Sequence, residues 1–164
     1  MVGRGLVVAA LALAADQLSK LWVLHYFAAA PPLVRMTRRL VVTPFFNLLL
    51  IGNTGISFGM FHGHRRMGEI VLVVAALAIV AGLLVWLVRT RNGLVAVAIG
   101  FLVGGALGNV ADRVIRGWVV DFLDFHLGQW HPFVFNLADA AISIGVGLLI
   151  LDGLLGRRDV AKSS

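Results

Sequence analysis

Four stretches of the chain are apolar with few polar interruptions. Each is long enough to cross roughly 30 Å of hydrocarbon as a helix, which takes about 20 residues. They run over Leu6–Phe27, Ile70–Val88, Leu94–Ile115 and Phe133–Leu155. The connection Arg89–Gly93 (RTRNG) is very short, so the second and third spans form a tight antiparallel hairpin. Longer connections follow the first span (Ala28–Glu69) and the third (Arg116–Pro132). Pro132 fits the first turn of the fourth helix, where its missing N–H does no harm. Inside Ala28–Glu69 the pattern changes. "LVVTPFFNLLLIGNTGISFGMF" is rich in β-branched and aromatic residues and is punctuated by Pro44, Gly52, Gly55 and Gly59. It reads as short strands with turns, lying on the membrane surface. A fifth, re-entrant apolar segment is the alternative.

Composition agrees with lipid as the solvent. The 164 residues are 60% hydrophobic and only 13% charged, where a soluble domain carries roughly a quarter charged residues. Cysteine is absent, which removes disulfides, thiolate nucleophiles and cysteine-type metal sites. The formal charge of +6 is spread in small groups without a basic stripe. Membrane flanks and anionic headgroups account for it better than nucleic acid, which is not an expected partner. In a four-span arrangement Arg4, Arg89, Arg91, Arg157, Arg158 and Lys162 share one side. The short termini and hairpin are where the positive-inside rule works best, so both termini are expected in the cytoplasm. Arg4, the apolar run and Ala28–Ala30 have the outline of a cleaved signal peptide. Asp16 and Lys20 interrupt that run, and a retained first helix is the expectation. The expected fold is one membrane domain over residues 1–164. It is mainly α and integral to the membrane, with four transmembrane helices and a small strand-rich extracytoplasmic region between helices 1 and 2.

Ionisable groups inside a bilayer cost a few kcal/mol or more, so each asks for a partner or a function. Asp16 and Lys20 are four residues apart on one face of the first helix and can pair. On the third helix Asn109, Asp112 and Arg113 share a face. An ion pair between Asp112 and Arg113 is the simplest account of those two. Gly100, Gly104 and Gly108 recur every four residues and let a neighbouring helix approach. Asp121 follows shortly after the third helix in "VVDFLDFH". Asp139 lies on the fourth helix with Asn136 three residues earlier; counting from Phe133, it sits about 9 Å below the helix start. By this topology Asn53, Asn109, Asp112, Arg113, Asp121, Asn136 and Asp139 all gather at one face.

Two carboxylates brought together share a proton, because like charges at close range do not both ionise easily. One then serves as general base on water while the other polarises a carbonyl. The candidates are Asp121 and Asp139, with no cofactor and no metal required. Rival chemistries are weaker. His62 and His64 lack an accompanying ligand cluster, Ser57 and Ser143 lack an adjacent base, and no phosphate-cradling glycine pattern is present. His126 and His131 lie near the acids in supporting or interfacial places. A small transporter or proton-coupled channel would also use intramembrane Asp, Lys and Arg. It needs polar residues at both faces, whereas the cytoplasmic halves here are almost purely apolar. A structural scaffold leaves the one-sided clustering unexplained.

Five ordered motifs add a further argument: "DQLSK" at Asp16–Lys20, "NTGISFG" at Asn53–Gly59, "GGALGNVADR" at Gly104–Arg113, "VVDF" at Val119–Phe122 and "FNLADA" at Phe135–Ala140. This pattern resembles the lipoprotein signal peptidases (signal peptidase II), four-helix intramembrane aspartic proteases of bacteria. The resemblance implies that Asp121 and Asp139 are the catalytic dyad. It matches Asp16, Asn53, Asn109, Arg113 and Asn136 to polar positions that hold the substrate, and leaves Lys20 and Asp112 in support. Asp124 competes with Asp121 as the acid after the third helix, and the motif match favours Asp121. The implied substrate is a diacylglyceryl-modified prolipoprotein, cut just before its lipidated cysteine near the periplasmic face of the inner membrane. Membrane phospholipid is the implied surrounding, and the expected state is monomeric. "HPFVFN" and the basic run Arg35–Arg39 look particular to this chain.

Overall fold

Helix α1 (Val2–Ala29) opens the chain, followed by a short α2 (Pro32–Thr37). Two strands come next, β1 (Arg39–Thr43) and β2 (Phe46–Asn53), then the hairpin of α3 (Arg65–Arg89) and α4 (Gly93–Arg116). Strands β3 (Val119–Leu127) and β4 (Trp130–Phe135) lead into α5 (Leu137–Lys162). This computed structural model describes residues 1–55 and 65–162. Ser57, His62, His64 and the later part of the "NTGISFG" motif lie outside the described residues. Among the described residues, four helices are long and apolar enough to cross a membrane: α1, α3, α4 and, over Leu137–Leu155, α5.

The most buried of these helices is α4, and its glycines explain why. A Cβ at Gly100 or Gly104 would sit 2.5 Å from the carbonyl oxygen of Gly5 or Ala9 in α1. One at Gly105 would meet the Ala138 carbonyl of α5. Small residues thus let α1 and α5 close on α4 from two sides. Ala9, Leu87, Val95, Ala96 and Ile99 fill the core nearest the α3–α4 turn. Asn92 caps α4 there, its Oδ1 accepting from the N–H groups of Leu94 and Val95. Its Nδ2 donates to Asp152 near the far end of α5. The start of α1 and the far end of α5 therefore share the hairpin's end of the bundle.

At the opposite end the strands form one antiparallel sheet in the order β1-β2-β3-β4. The strand-rich stretch between the first two spans is present as β1 and β2, with α2 before them. Two expectations need correcting. The connection after the third span is not a simple loop: it supplies β3 and β4, half of the sheet. Pro132 and Phe133 belong to β4, so the fourth helix starts at Leu137 instead of Phe133. The reason is physical. "WHPFVF" is a short, mostly apolar run set off from the helix by the single residue Asn136, and periodicity alone does not separate such a run as a strand from the first turns of a membrane helix. Gly117, with φ of 75°, ends α4 and turns the chain into β3. Gly128, with φ of 61°, begins the two-residue turn between Leu127 and Trp130.

One face of the sheet rests on the end of α1, where Val120 and Phe122 pack against Val23 and Phe27. Between Leu48↔Leu123 and Ile51↔Asp121, β2 has one more residue than β3, a bulge. That extra residue reverses the alternation along β2. Ile51 and Asn53 are thereby brought to the face of β3 that carries Asp121.

Candidate active site

Asp121 is almost fully buried on β3. Its Oδ2 accepts from Asn53 Nδ2 at 2.8 Å and its Oδ1 from Asn136 Nδ2 at 2.6 Å. Asn53 is aimed by its own backbone: its Oδ1 accepts the N–H of Gly55 at 2.7 Å, which leaves the amide nitrogen toward Asp121. Burial pushes the Asp121 carboxyl above its ordinary value. The two amide hydrogen bonds oppose that shift, the nearby charge of Asp139 reinforces it, and Lys20 opposes it.

Asp139 reaches the same place from the first turn of α5. Asn136 stands just before that helix, where its Oδ1 accepts the backbone N–H of Asp139 at 3.0 Å. In return, Asp139 Oδ2 accepts the backbone N–H of Asn136 at 3.4 Å. This is the reciprocal capping arrangement of a helix start, with Asn and Asp in the two roles. It corrects the expected depth of about 9 Å from Phe133, because the helix starts at Leu137 and Asp139 lies in its first turn. Asn109 Nδ2 completes the setting by donating to Asp139 Oδ1 at 2.8 Å. Asn136 therefore touches both acids, one through its side-chain nitrogen and one through its cap.

The other polar residues named from the sequence fall around this pair. Lys20 bonds Asp16 at 2.8 Å, as the helix spacing suggested, and also Asp112 at 2.9 Å. Asp112 does not pair with Arg113. Its partners are Lys20 and Arg116, one helical turn on. Arg113 instead donates to the Asn109 carbonyl at 3.3 Å and lies beside Gly55. Its Nε is buried without a hydrogen-bond partner among the described residues. Two contributors were not singled out from the sequence. Gln17 donates to Asp16, to Asp112 and to the Gly108 carbonyl, and Arg116 neutralises Asp112. Their i+1 and i+4 spacing from acids already named was the available signal.

Apolar grooves approach the polar cluster from two directions. One of about 260 Å³ runs between α3, α4 and α5 past Ile79 and Leu102 to Asn109 and Arg113. Another of about 500 Å³ follows Phe133, Phe135 and Ile144 to Asp139. A third, of about 350 Å³, lies beside His126 and Trp130 at the far end of β3, away from the acids. Near it, His131 bonds Asp124 at 2.9 Å and stacks on His126. Among the described residues, no three His, Asp or Glu side chains gather as a metal-ligand group.

A buried and a half-buried aspartate, held by asparagines at one end of a bundle of four apolar helices, match a known family. The family model for signal peptidase (SPase) II matches residues 8–155. The chain belongs to that family. It is 45% identical over 148 residues to the lipoprotein signal peptidase of Beijerinckia indica, covering 90% of this chain and 86% of that one. Identity to the lipoprotein signal peptidase of Methylorubrum extorquens is 47% over 150 residues, covering 92% and 85%. A solved bacterial membrane enzyme, determined by the in meso method at 2.3 Å resolution, superposes with a TM-score of 0.76. It is 28% identical, with 100% of this chain and 93% of that chain covered. As a signal peptidase II, the protein is a multi-pass bacterial membrane protease that removes signal peptides from prolipoproteins.

Proposed function

We propose that Asp121 and Asp139 are the catalytic dyad of this signal peptidase II, and that the bond cut is the one just before the diacylglyceryl-cysteine of the prolipoprotein. The observation that carries the assignment is Asn136, itself buried, whose side chain and helix cap join both acids in one hydrogen-bond network. At any moment one carboxyl carries the shared proton. The ionised one takes a proton from water as the water oxygen attacks the scissile carbonyl carbon. The protonated one donates a hydrogen bond to the carbonyl oxygen. Collapse of the tetrahedral intermediate breaks the C–N bond as the new amine receives a proton, and the dyad returns to a singly protonated state.

The surroundings suit such a substrate. The apolar groove along Phe133, Phe135 and Ile144 offers lipid-embedded parts of the precursor a path to Asp139, and the one between α3, α4 and α5 leads to Asn109 and Arg113. Arg113 and the asparagine amides supply donors for the peptide backbone and for developing oxyanion charge. We further place the dyad near the extracytoplasmic face of the bacterial inner membrane, with both termini cytoplasmic. Arg4, Arg89 and Arg91 at the hairpin end support that orientation. A monomer in contact with phospholipid suffices for this mechanism.

The test uses purified protein in lipid with a diacylglyceryl-modified precursor. Wild type converts precursor to mature form, while Asp121→Asn and Asp139→Asn remain folded and do not. Cleavage by either variant would remove the dyad assignment.

A further inference from the structure

A second polar layer lies beneath the two acids. Lys20, Asp16 and Asp112 are all fully buried. The Lys20 ammonium meets Asp16 Oδ2 at 2.8 Å, Asp112 Oδ2 at 2.9 Å and Asn109 Oδ1 at 3.2 Å. An ammonium group has three N–H donors, so all three are used. Each carboxylate also accepts a backbone N–H from a different element. Asp16 Oδ1 accepts from Ala138 at 2.9 Å, and Asp112 Oδ2 accepts from Val120 at 3.0 Å. Ala138 immediately precedes Asp139, and Val120 immediately precedes Asp121. One ammonium group therefore links the two backbone segments that carry the acids. Its third bond acts on Asn109. With Oδ1 taken by Lys20 and by Asn136 Nδ2, the Asn109 amide nitrogen must face Asp139.

We propose that Lys20 is a positioning residue: acting through Asp16 and Asp112 it sets the separation of the two dyad aspartates, and through Asn109 it fixes the amide that holds Asp139. The proposal rests on the dyad reading above. Charge balance alone is the simpler account, since Asp16 and Asp112 are matched by Lys20 and Arg116. It does not explain why both carboxylates hold the residue next to a dyad acid. Buried ion pairs add little net stability over apolar packing, and a role in fixing geometry is their better-supported use. Misplacing reacting groups by about 1 Å can cost on the order of 100-fold in rate.

The test separates geometry from charge. Lys20→Met combined with Asp16→Asn restores neutrality and keeps an oxygen for the Ala138 N–H. On lipidated precursor in bilayers, the double variant is expected to melt near wild type. Its kcat falls at least about tenfold while KM stays within about twofold. Gly108→Ala is the second arm. A Cβ there would lie 2.5 Å from Asp16 Oδ2, so it displaces that carboxylate without changing any charge. It too is expected to lower kcat at constant KM, and it decides the matter alone if the double variant does not fold. Wild-type kcat in a folded double variant or in Gly108→Ala, or a loss confined to KM, would overturn the proposal. Asp121→Asn, run alongside, tells the two ideas apart. If it still cleaves, the dyad reading has failed; if it is inactive while the positioning variants are fully active, only the role of Lys20 has.

Discussion

Two aspartates on the same strand, three residues apart, face opposite sides of the sheet and have opposite electrostatics. Asp121 meets neutral amides from Asn53 and Asn136 and a second acid, and burial raises its carboxyl above the ordinary range. Asp124 is also buried, and burial pushes it the same way. Hydrogen bonds from Asn47 and His131, with the charge of the two histidines, outweigh that and hold it below the ordinary range. Asn47 donates to it at 2.8 Å and His131 lies 2.9 Å away. One environment favours the protonated acid. The other stabilises a fixed anion that ties β2, β3 and β4 together. Residue type and burial are shared, so the partners make the difference.

The largest effect expected from this contrast is on turnover. Asp121→Asn or Asp139→Asn should lower cleavage at least about 10³-fold, within the range for removing an acid–base group. Asp124→Asn should leave it within about threefold, because that side chain does not touch the dyad. Equal losses at 121 and 124, read from precursor conversion, would break the contrast. Next in size is Asn136→Ala, which strips a hydrogen bond from Asp121 and the cap from α5. We expect kcat to fall about 100-fold and stability to fall by about 1 kcal/mol, the latter followed by thermal melting. Asn53→Ala removes only one bond to Asp121, and about a tenfold loss in kcat is expected, equivalent to about 1.4 kcal/mol. A wild-type rate there would mean that the bulge in β2 serves the sheet and not the acid.

The sharpest effect is on stability against pH. The raised Asp121 carboxyl contributes stability that is fully present below its unfolded value of 3.8 and is lost as pH rises through its folded value. Asp121→Asn should therefore melt higher than wild type at pH 7, with the advantage shrinking toward pH 4. The lowered Asp124 carboxyl contributes stability that is present above 3.8 and is lost as pH falls through its folded value. Asp124→Asn should melt lower than wild type at pH 7, by roughly 1.5–3 kcal/mol for weakened hydrogen bonds to a charged group. That deficit should also shrink on acidification. Melting curves of the two variants with the same sign would contradict the opposite electrostatics of the two faces of β3.

The linear pattern was enough for the four apolar helices, the glycine row on α4 and the pairing of Asp16 with Lys20, because these depend on spacing within one element. It also brought Asn53, Asn109, Asp121, Asn136 and Asp139 to one end of the bundle, since chain direction alternates from span to span. The motifs favoured Asp121 over Asp124, but no property of either residue alone distinguished them. Strands β3 and β4 were not separated from the neighbouring connection and helix, because short apolar runs such as Trp130–Phe135 do not by periodicity alone distinguish a strand from a helix segment. Asn136, three residues before Asp139, was the boundary signal available. The partner of Asp112 was not legible either: spacing suggested Arg113 and the packing of α1 against α4 supplied Lys20. The bulge that turns Asn53 toward Asp121 exists only once β2 and β3 are paired. The cap that holds Asp139 at the helix rim is by contrast local, an Asn three residues before an Asp, and its spacing was readable in the sequence. Spacing along single segments sets which groups reach the end of the bundle; packing sets which of them meet across segments, because hydrogen bonds between distant segments depend on packing and register that spacing within one segment does not encode.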